Sequence, residues 1–304
     1  MFRNACDAEA RQQTSGFQPT AAGTVRDLRE RTDLAQDIAF FASRQEARTF
    51  AEICLSRTLP ALPQSVRYVD YGGGQGLVAD AMRSALLAAG RACDVAVVDS
   101  NPRYLKDASA LNLRTHLANI EDCSLRDADL ASMRLVNHYC GYDQQAAIMR
   151  GIHDGLRPGG VFVSQIETGS SVICRLQTAI SNALSREDCC GYYWPTLDEY
   201  VSLARAAGFV EISVIGEKAP VESTINEALA AAWRRFHGHE LQALVAEKQA
   251  ENVQQLLAQR ALFFKMCHGL IAEEMDISTQ GAPAQPALTK FELCYPVLYC
   301  RRSE

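Results

Sequence analysis

The sequence predicts an α/β fold, in which strands alternate with helices. Three observations predict it. Short apolar runs of strand type are separated by helical patterns from about residue 66 to residue 217. One such run, Val66-Arg67-Tyr68-Val69-Asp70-Tyr71, passes through Gly72-Gly73-Gly74-Gln75-Gly76 into a helical pattern over residues 77–89, which Gly90 stops. Strand, glycine turn and helix form a nucleotide-cradling unit, because glycine lets the backbone approach a ligand and the helix start presents free N–H groups. Finally, 304 residues that are 48% hydrophobic supply ample core for one large domain or two modest ones.

The elements follow in order. Residues 1 to about 23 are small and polar and read as a loose tail. Thr32-Asp33 offers an N-cap to a helix with Leu34, Ile38 and Phe41 on one face, and Phe40 lies off that face. A second helical set, Phe50, Ile53 and Cys54, is stopped by Leu59-Pro60 and Pro63. After Gly90, Val95-Ala96-Val97-Val98-Asp99 is a buried-type strand ending in an acid, and Ser100-Asn101-Pro102 starts a helix. Residues 148–156 read as a helix that Leu156-Arg157-Pro158-Gly159-Gly160 turns into a strand over residues 161–166, with Glu167 at its end. Thr196 and Glu199 cap a helix that ends at Ala207-Gly208-Phe209, and a strand follows over residues 210–215. Residues 291–300 read as the final strand. Between these last two strands lies a helical insertion, in which Leu241, Leu244, Val245, Val253, Leu256, Leu257, Phe263, Cys267, Leu270 and Ile271 recur with helical period. An insertion there serves as a substrate lid or as a contact in a homo-oligomer.

The order Asp70-x-Gly72-x-Gly74-x-Gly76 resembles the first motif of the class I S-adenosylmethionine (SAM) dependent methyltransferases. The same residues admit two other readings. Gly74-x-Gly76-x-x-Ala79 satisfies a dinucleotide fingerprint, with Asp99 20 residues further on, where a ribose-binding acid belongs. That keeps an NAD(P)-dependent oxidoreductase open, and a glycine turn with no ligand is the third reading. Other stretches add to the resemblance. Asp99 matches the second motif, His116-Leu117-Ala118-Asn119-Ile120-Glu121-Asp122 the third, and the stretch from Asp129 to Tyr139 the fourth. The Leu-Arg-Pro-Gly-Gly turn and the Thr-x-x-Glu, helix, Ala-Gly-Phe, strand order are also the family's, and a dinucleotide dehydrogenase has no reason to carry the former.

The resemblance covers about residues 66–217 plus the last strand. It implies a Rossmann-like seven-stranded mostly parallel sheet with helices on both faces and the last strand antiparallel. The implied divisions are an N-terminal tail and helical cap (1–63), a SAM-binding core (64–219), the helical insertion (220–288) and the last core strand (289–304). It implies SAM as cofactor, with Asp70, Gly72, Gly74 and Gly76 at its amino-acid part. Asp99 would accept from both ribose hydroxyls, which suits an acceptor-only carboxylate. Asn119 stands where the family has Asp, and its amide oxygen can accept from the adenine amine while the Ile120 N–H meets a ring nitrogen. Met133, in the fourth motif, completes the cofactor set. His138 and Tyr139 are the catalytic candidates on the substrate side. Glu167, Arg175, Tyr193 and Trp194 are the substrate-binding candidates, and Tyr192, Tyr193 and Trp194 could hold a group that becomes positive. Core packing is the competing role for these aromatics.

The implied activity is methyl transfer to a small-molecule nucleophile, mainly by proximity and orientation. An amine, carboxylate, thioether such as methionine, or hydroxyl would serve. No His-plus-acid pair stands out as a base, and no metal set is complete: His237-x-His239 lacks further ligands. A SAM-binding structural or regulatory protein, and a SAM enzyme catalysing a non-methyl reaction, are the remaining alternatives. The net charge of -6 and the absence of a basic run argue against a nucleic-acid partner. Eleven cysteines without a Cys-x-x-Cys pair suit reduced thiols, and Cys189-Cys190 stands beside aromatic residues. No apolar run suits a signal peptide or a membrane span, so the expected location is cytoplasmic, without membrane partners.

Overall fold

The computed structural model of the chain describes residues 43–168, 193–224, 233, 242–274 and 290–304. Helix α1 (Arg44–Thr58) opens on a capping box, in which the Ser43 hydroxyl accepts from the Glu46 N–H and the Glu46 carboxylate accepts from the Ser43 N–H. There follow β1 (Ser65–Tyr71), α2 (Leu77–Ala88), β2 (Ala92–Asp99), α3 (Pro102–Ala110), β3 (Arg114–Leu117) and β4 (Ala128–Arg134). The chain continues as α4 (Tyr142–Gly155), β5 (Leu156–Gln165), α5 (Leu197–Ala207), β6 (Phe209–Thr224), α6 (Ala250–Glu274) and β7 (Lys290–Arg302).

Seven strands form one sheet in the order β3-β2-β1-β4-β5-β7-β6. β1 to β5 pair in parallel, and β7 runs antiparallel to both β5 and β6. The sheet has a core on each face. On one, α1 and α2 bury Phe50, Cys54 and Met82 against Tyr68, Leu130 and Val163. On the other, Met149 and Ile152 of α4 and Tyr200 of α5 pack on Val69, Ala131 and Phe162. This is the mostly parallel, two-sided α/β architecture, with the antiparallel final strand, that the sequence predicts.

Several boundaries differ from the sequence reading. α4 begins earlier, at Tyr142, because its first turns carry Asp143, Gln144 and Gln145 and give no apolar period. The Leu-Arg-Pro-Gly-Gly stretch is already part of β5, with a register shift against β4 between Ala128 and Leu130. Its Arg157 pairs with buried Asp129, which also accepts from the Arg67 N–H at 2.7 Å, so β1, β4 and β5 are tied together at one end. β6 runs past residue 215 to Thr224 and pairs with β7 as far as Lys290. In the insertion, Phe263 is buried against Trp233 with ring centroids 5.4 Å apart, whereas Val245 and Leu257 of the expected apolar stripe are exposed. The expected helix with Leu34, Ile38 and Phe41, together with Phe40, lies outside the described residues, as do Arg175, Cys189-Cys190, Tyr192 and His237-x-His239. Among the described residues, no helix is long and apolar enough to cross a membrane.

The start of α5 sets the position of Tyr193 and Trp194. Thr196 and Glu199 form a second capping box, and the Tyr193 hydroxyl donates to the same Glu199 carboxylate at 3.1 Å. Thr196→Ala is expected to cost about 0.5–2 kcal/mol of stability. Urea denaturation of the two proteins side by side measures it, and an unchanged midpoint would contradict the cap's role.

Candidate functional site

The site is built where the strand order reverses, between β1 and β4. In open α/β sheets the crevice outside the carboxyl ends of the strands at such a point receives ligands. A cavity of about 320 Å³ opens there. Its wall takes Asp70 and residues 72–75 from the end of β1, Asp99 and Ser100 from β2, residues 118–121 after β3, and residues 134–136 after β4. Tyr139, Cys140, Gln144 and Ile148 close the side next to α4.

The glycine loop is fixed by backbone bonds to β2: the Gly72 N–H donates to the Val98 carbonyl at 2.7 Å. Two of its glycines are sterically required. A Cβ on Gly73 would stand 2.7 Å from Asp70 Oδ2, and one on Gly72, whose φ is +65°, would stand 2.6 Å from Val136 Cγ2. Asp99 is held by two backbone donors, with Oδ2 accepting from the Gly74 N–H at 2.9 Å and Oδ1 from the Asn101 N–H at 2.8 Å. A carboxylate has about four acceptor positions, so this fixes the group and leaves it able to accept more. The Asn119 amide nitrogen donates to Asp122 at 3.3 Å, leaving the amide oxygen as an acceptor.

Asp70 is almost fully buried at the end of β1. Its Oδ1 accepts from the Ser132 hydroxyl at 2.5 Å, Ser132 and Tyr68 share a further bond at 2.7 Å, and Oδ2 has no partner among the described residues. Burial pushes its pKa from 3.8 to about 7, against the lowering effect of the Ser132 bond; Asp99 raises it further, while Arg134 and Tyr68 lower it.

The expected residues divide. Asp70, Gly72, Gly74, Asp99, Asn119 and Ile120 come together in the cavity wall. Gly76 lies behind the wall as the N-cap of α2. Met133 is buried in the core next to α4, on the opposite face from Ser132, so it does not reach the cavity. Tyr139 lines the cavity, while His138 is buried beside it with its ring stacked on Trp194 at 5.9 Å. Contrary to the sequence reading, a His-plus-acid pair exists: His138 Nδ1 stands 3.3 Å from Glu167 Oε2, both side chains buried. The pair was hidden because its members lie on different elements, one after β4 and one after β5. Asn137 joins it by donating to the Glu167 carbonyl at 3.3 Å. Neither Glu167, Tyr193 nor Trp194 is in the cavity wall. Arg134 is; it lies inside the fourth-motif stretch, which assigns it no role, and the available signal was a cation at the end of a mostly apolar strand.

The methyltransferase-domain family matches residues 33–214, more than half of the chain. The chain belongs to this family, and the fold and glycine unit place it among the class I SAM-dependent methyltransferases. It is an enzyme of that class, with SAM as cofactor, which removes the dinucleotide oxidoreductase reading. Among solved structures it is similar to the YcgJ protein from Bacillus subtilis, at 14% identity and a TM-score of 0.56, covering 84% of this chain and 99% of that one. It is likewise similar to a candidate methyltransferase from Bacillus halodurans C-125, at 14% identity and a TM-score of 0.54, covering 84% of this chain and 100% of that one. At such identity these show the fold alone. No curated protein matches the sequence.

Asp70 gives a pH signature. Between 3.8 and about 7 the folded protein keeps a proton that the unfolded chain has released. Stability therefore falls as pH rises through that window. Asp70→Asn is expected to remove this part of the slope. Urea denaturation across pH 4 to 8 checks it, and parallel slopes for the two proteins would contradict it.

Proposed function

We propose that the cavity holds SAM along the strand ends, and that its methyl passes to a small-molecule nucleophile placed on the Tyr139 side. The observation that carries this reading is the Asp99 carboxylate, in the cavity wall and aligned by the glycine loop's own N–H. It accepts from the ribose hydroxyls; the Asn119 amide oxygen accepts from the adenine amine, and the Ile120 N–H meets the ring. The glycine loop lies under the amino-acid part. These donors and acceptors, and a loop that tolerates no Cβ at Gly72 or Gly73, fit the cofactor.

When bound, SAM supplies an electrophilic methyl on a good leaving group. This chain then has to position the acceptor and exclude water, and positioning can supply up to about 7–11 kcal/mol in favourable cases. Tyr139 faces the acceptor. His138, clamped between Glu167 and Trp194, is a positioning residue: it fixes the turn that presents Tyr139. Burial of the pair supports this over a role as base, since neither side chain is in the wall. The acidic net charge of -6 favours a small molecule over a nucleic acid. Residues 220–288 belong to the acceptor side or to a subunit contact, away from the adenine.

Two measurements test this. Asp99→Ala removes charge-assisted hydrogen bonds of about 1.5–3 kcal/mol each, and incomplete additivity leaves an expected loss of tenfold to a few hundredfold in SAM affinity by calorimetry. Unchanged affinity would overturn the ribose assignment. For the positioning role, His138→Asn and Tyr139→Phe are expected to raise KM more than they lower kcat, with melting curves as the folding control. An obligatory base would instead cost about 10²–10⁴ in kcat, with rescue at alkaline pH, and that outcome for His138 would replace positioning with proton abstraction from a hydroxyl.

A further inference from the structure

Arg134 is the cationic side chain of the cavity wall among the described residues. It ends β4, two residues beyond Ser132, whose hydroxyl meets Asp70. Side chains alternate along a strand, so Arg134 lies on the same face as Ser132. The Arg134 Nε is buried without a hydrogen-bond partner among the described residues. Burial lowers its pKa from the usual arginine value, while the charges of Glu46, Asp70 and Tyr295 act in the opposite direction. An Nε–H left this way is costly unless a partner completes it, and the planar guanidinium fork matches a carboxylate.

The sheet order says which carboxylate. Along the C-terminal edge the strands run β3, β2, β1, β4, so the polar groups run Asn119, Asp99, Asp70, Arg134. A ligand with its nucleoside over β3 and β2 extends its tail over β1 and β4. The tail of the cofactor is an α-amino acid, a zwitterion. The two groups it meets are an acid with an unsatisfied oxygen and a cation with an unsatisfied N–H.

We propose that Arg134 anchors the α-carboxylate at the amino-acid end of the cofactor, and so makes the site select nucleosides that carry this tail. This rests on the cofactor reading above. The contribution is a selectivity, and two probes read it: S-adenosylhomocysteine, and 5′-methylthioadenosine, which keeps the nucleoside thioether and lacks the amino acid.

Calorimetry with both probes on wild type and Arg134→Met tests it. The variant is expected to lose about ten- to a hundredfold in affinity for S-adenosylhomocysteine, the size of a lost charge-assisted pair, and to bind methylthioadenosine within about twofold of wild type. Methylthioadenosine binding is thus also the folding control. If Arg134→Met binds neither probe, Arg134→Lys decides: a partial loss confined to S-adenosylhomocysteine supports the anchor. An unchanged ratio of the two affinities in a folded variant overturns it. Failure of wild type to bind either probe would instead overturn the cofactor reading itself.

Discussion

The structure turns on the buried carboxylate of Asp70. It joins β1 to β4 through Ser132, at the point where the strand order reverses, and it lies directly beneath Gly73. Burying a carboxylate is unfavourable unless hydrogen bonds and neighbouring charge offset it. Here Ser132 and Tyr68 supply part of that, Arg134 supplies charge, and the pKa still rises to about 7. A fold selected only for stability would have an apolar residue at this position. The cost falls in the wall of the cavity at the strand ends, the kind of place where a perturbed carboxylate is functional.

From that point the site is laid out along one edge of the sheet. Each strand end contributes a different kind of group: an amide after β3, a carboxylate on β2, a buried acid on β1, a guanidinium on β4. All four groups line the same cavity, with the glycine loop between them. Beside the cavity, the buried His138–Glu167 pair stands against the half-buried Trp194 ring. That division suits a transfer reaction in which the cofactor carries the chemistry and the protein supplies geometry.

Much of this was legible in the sequence. The glycine unit, the acid ending β2, and the Thr196 capping box are local signals, set by neighbours a few residues apart, and each lies where its pattern put it. Long-range pairs were not legible. Nothing near His138 announces Glu167, because their meeting depends on β4 and β5 being adjacent in the sheet. Met133 was misplaced for a simpler reason: strand alternation sends its side chain to the opposite face from Ser132. Arg134 lies inside the fourth-motif stretch, but the motif assigns it no role, and only the sheet order brings it beside Asp70. The exposed Val245 and Leu257 show that helical period alone does not say which apolar residues become buried.

The central claim is that one extended ligand spans the strand ends with a fixed polarity. A crystal structure of the protein with S-adenosylhomocysteine measures this directly. The account predicts adenine beside Asn119 and Ile120, the ribose hydroxyls on Asp99, and the amino-acid end over β1 and β4. A ligand lying in the reverse direction, or seated away from the glycine loop, would contradict it.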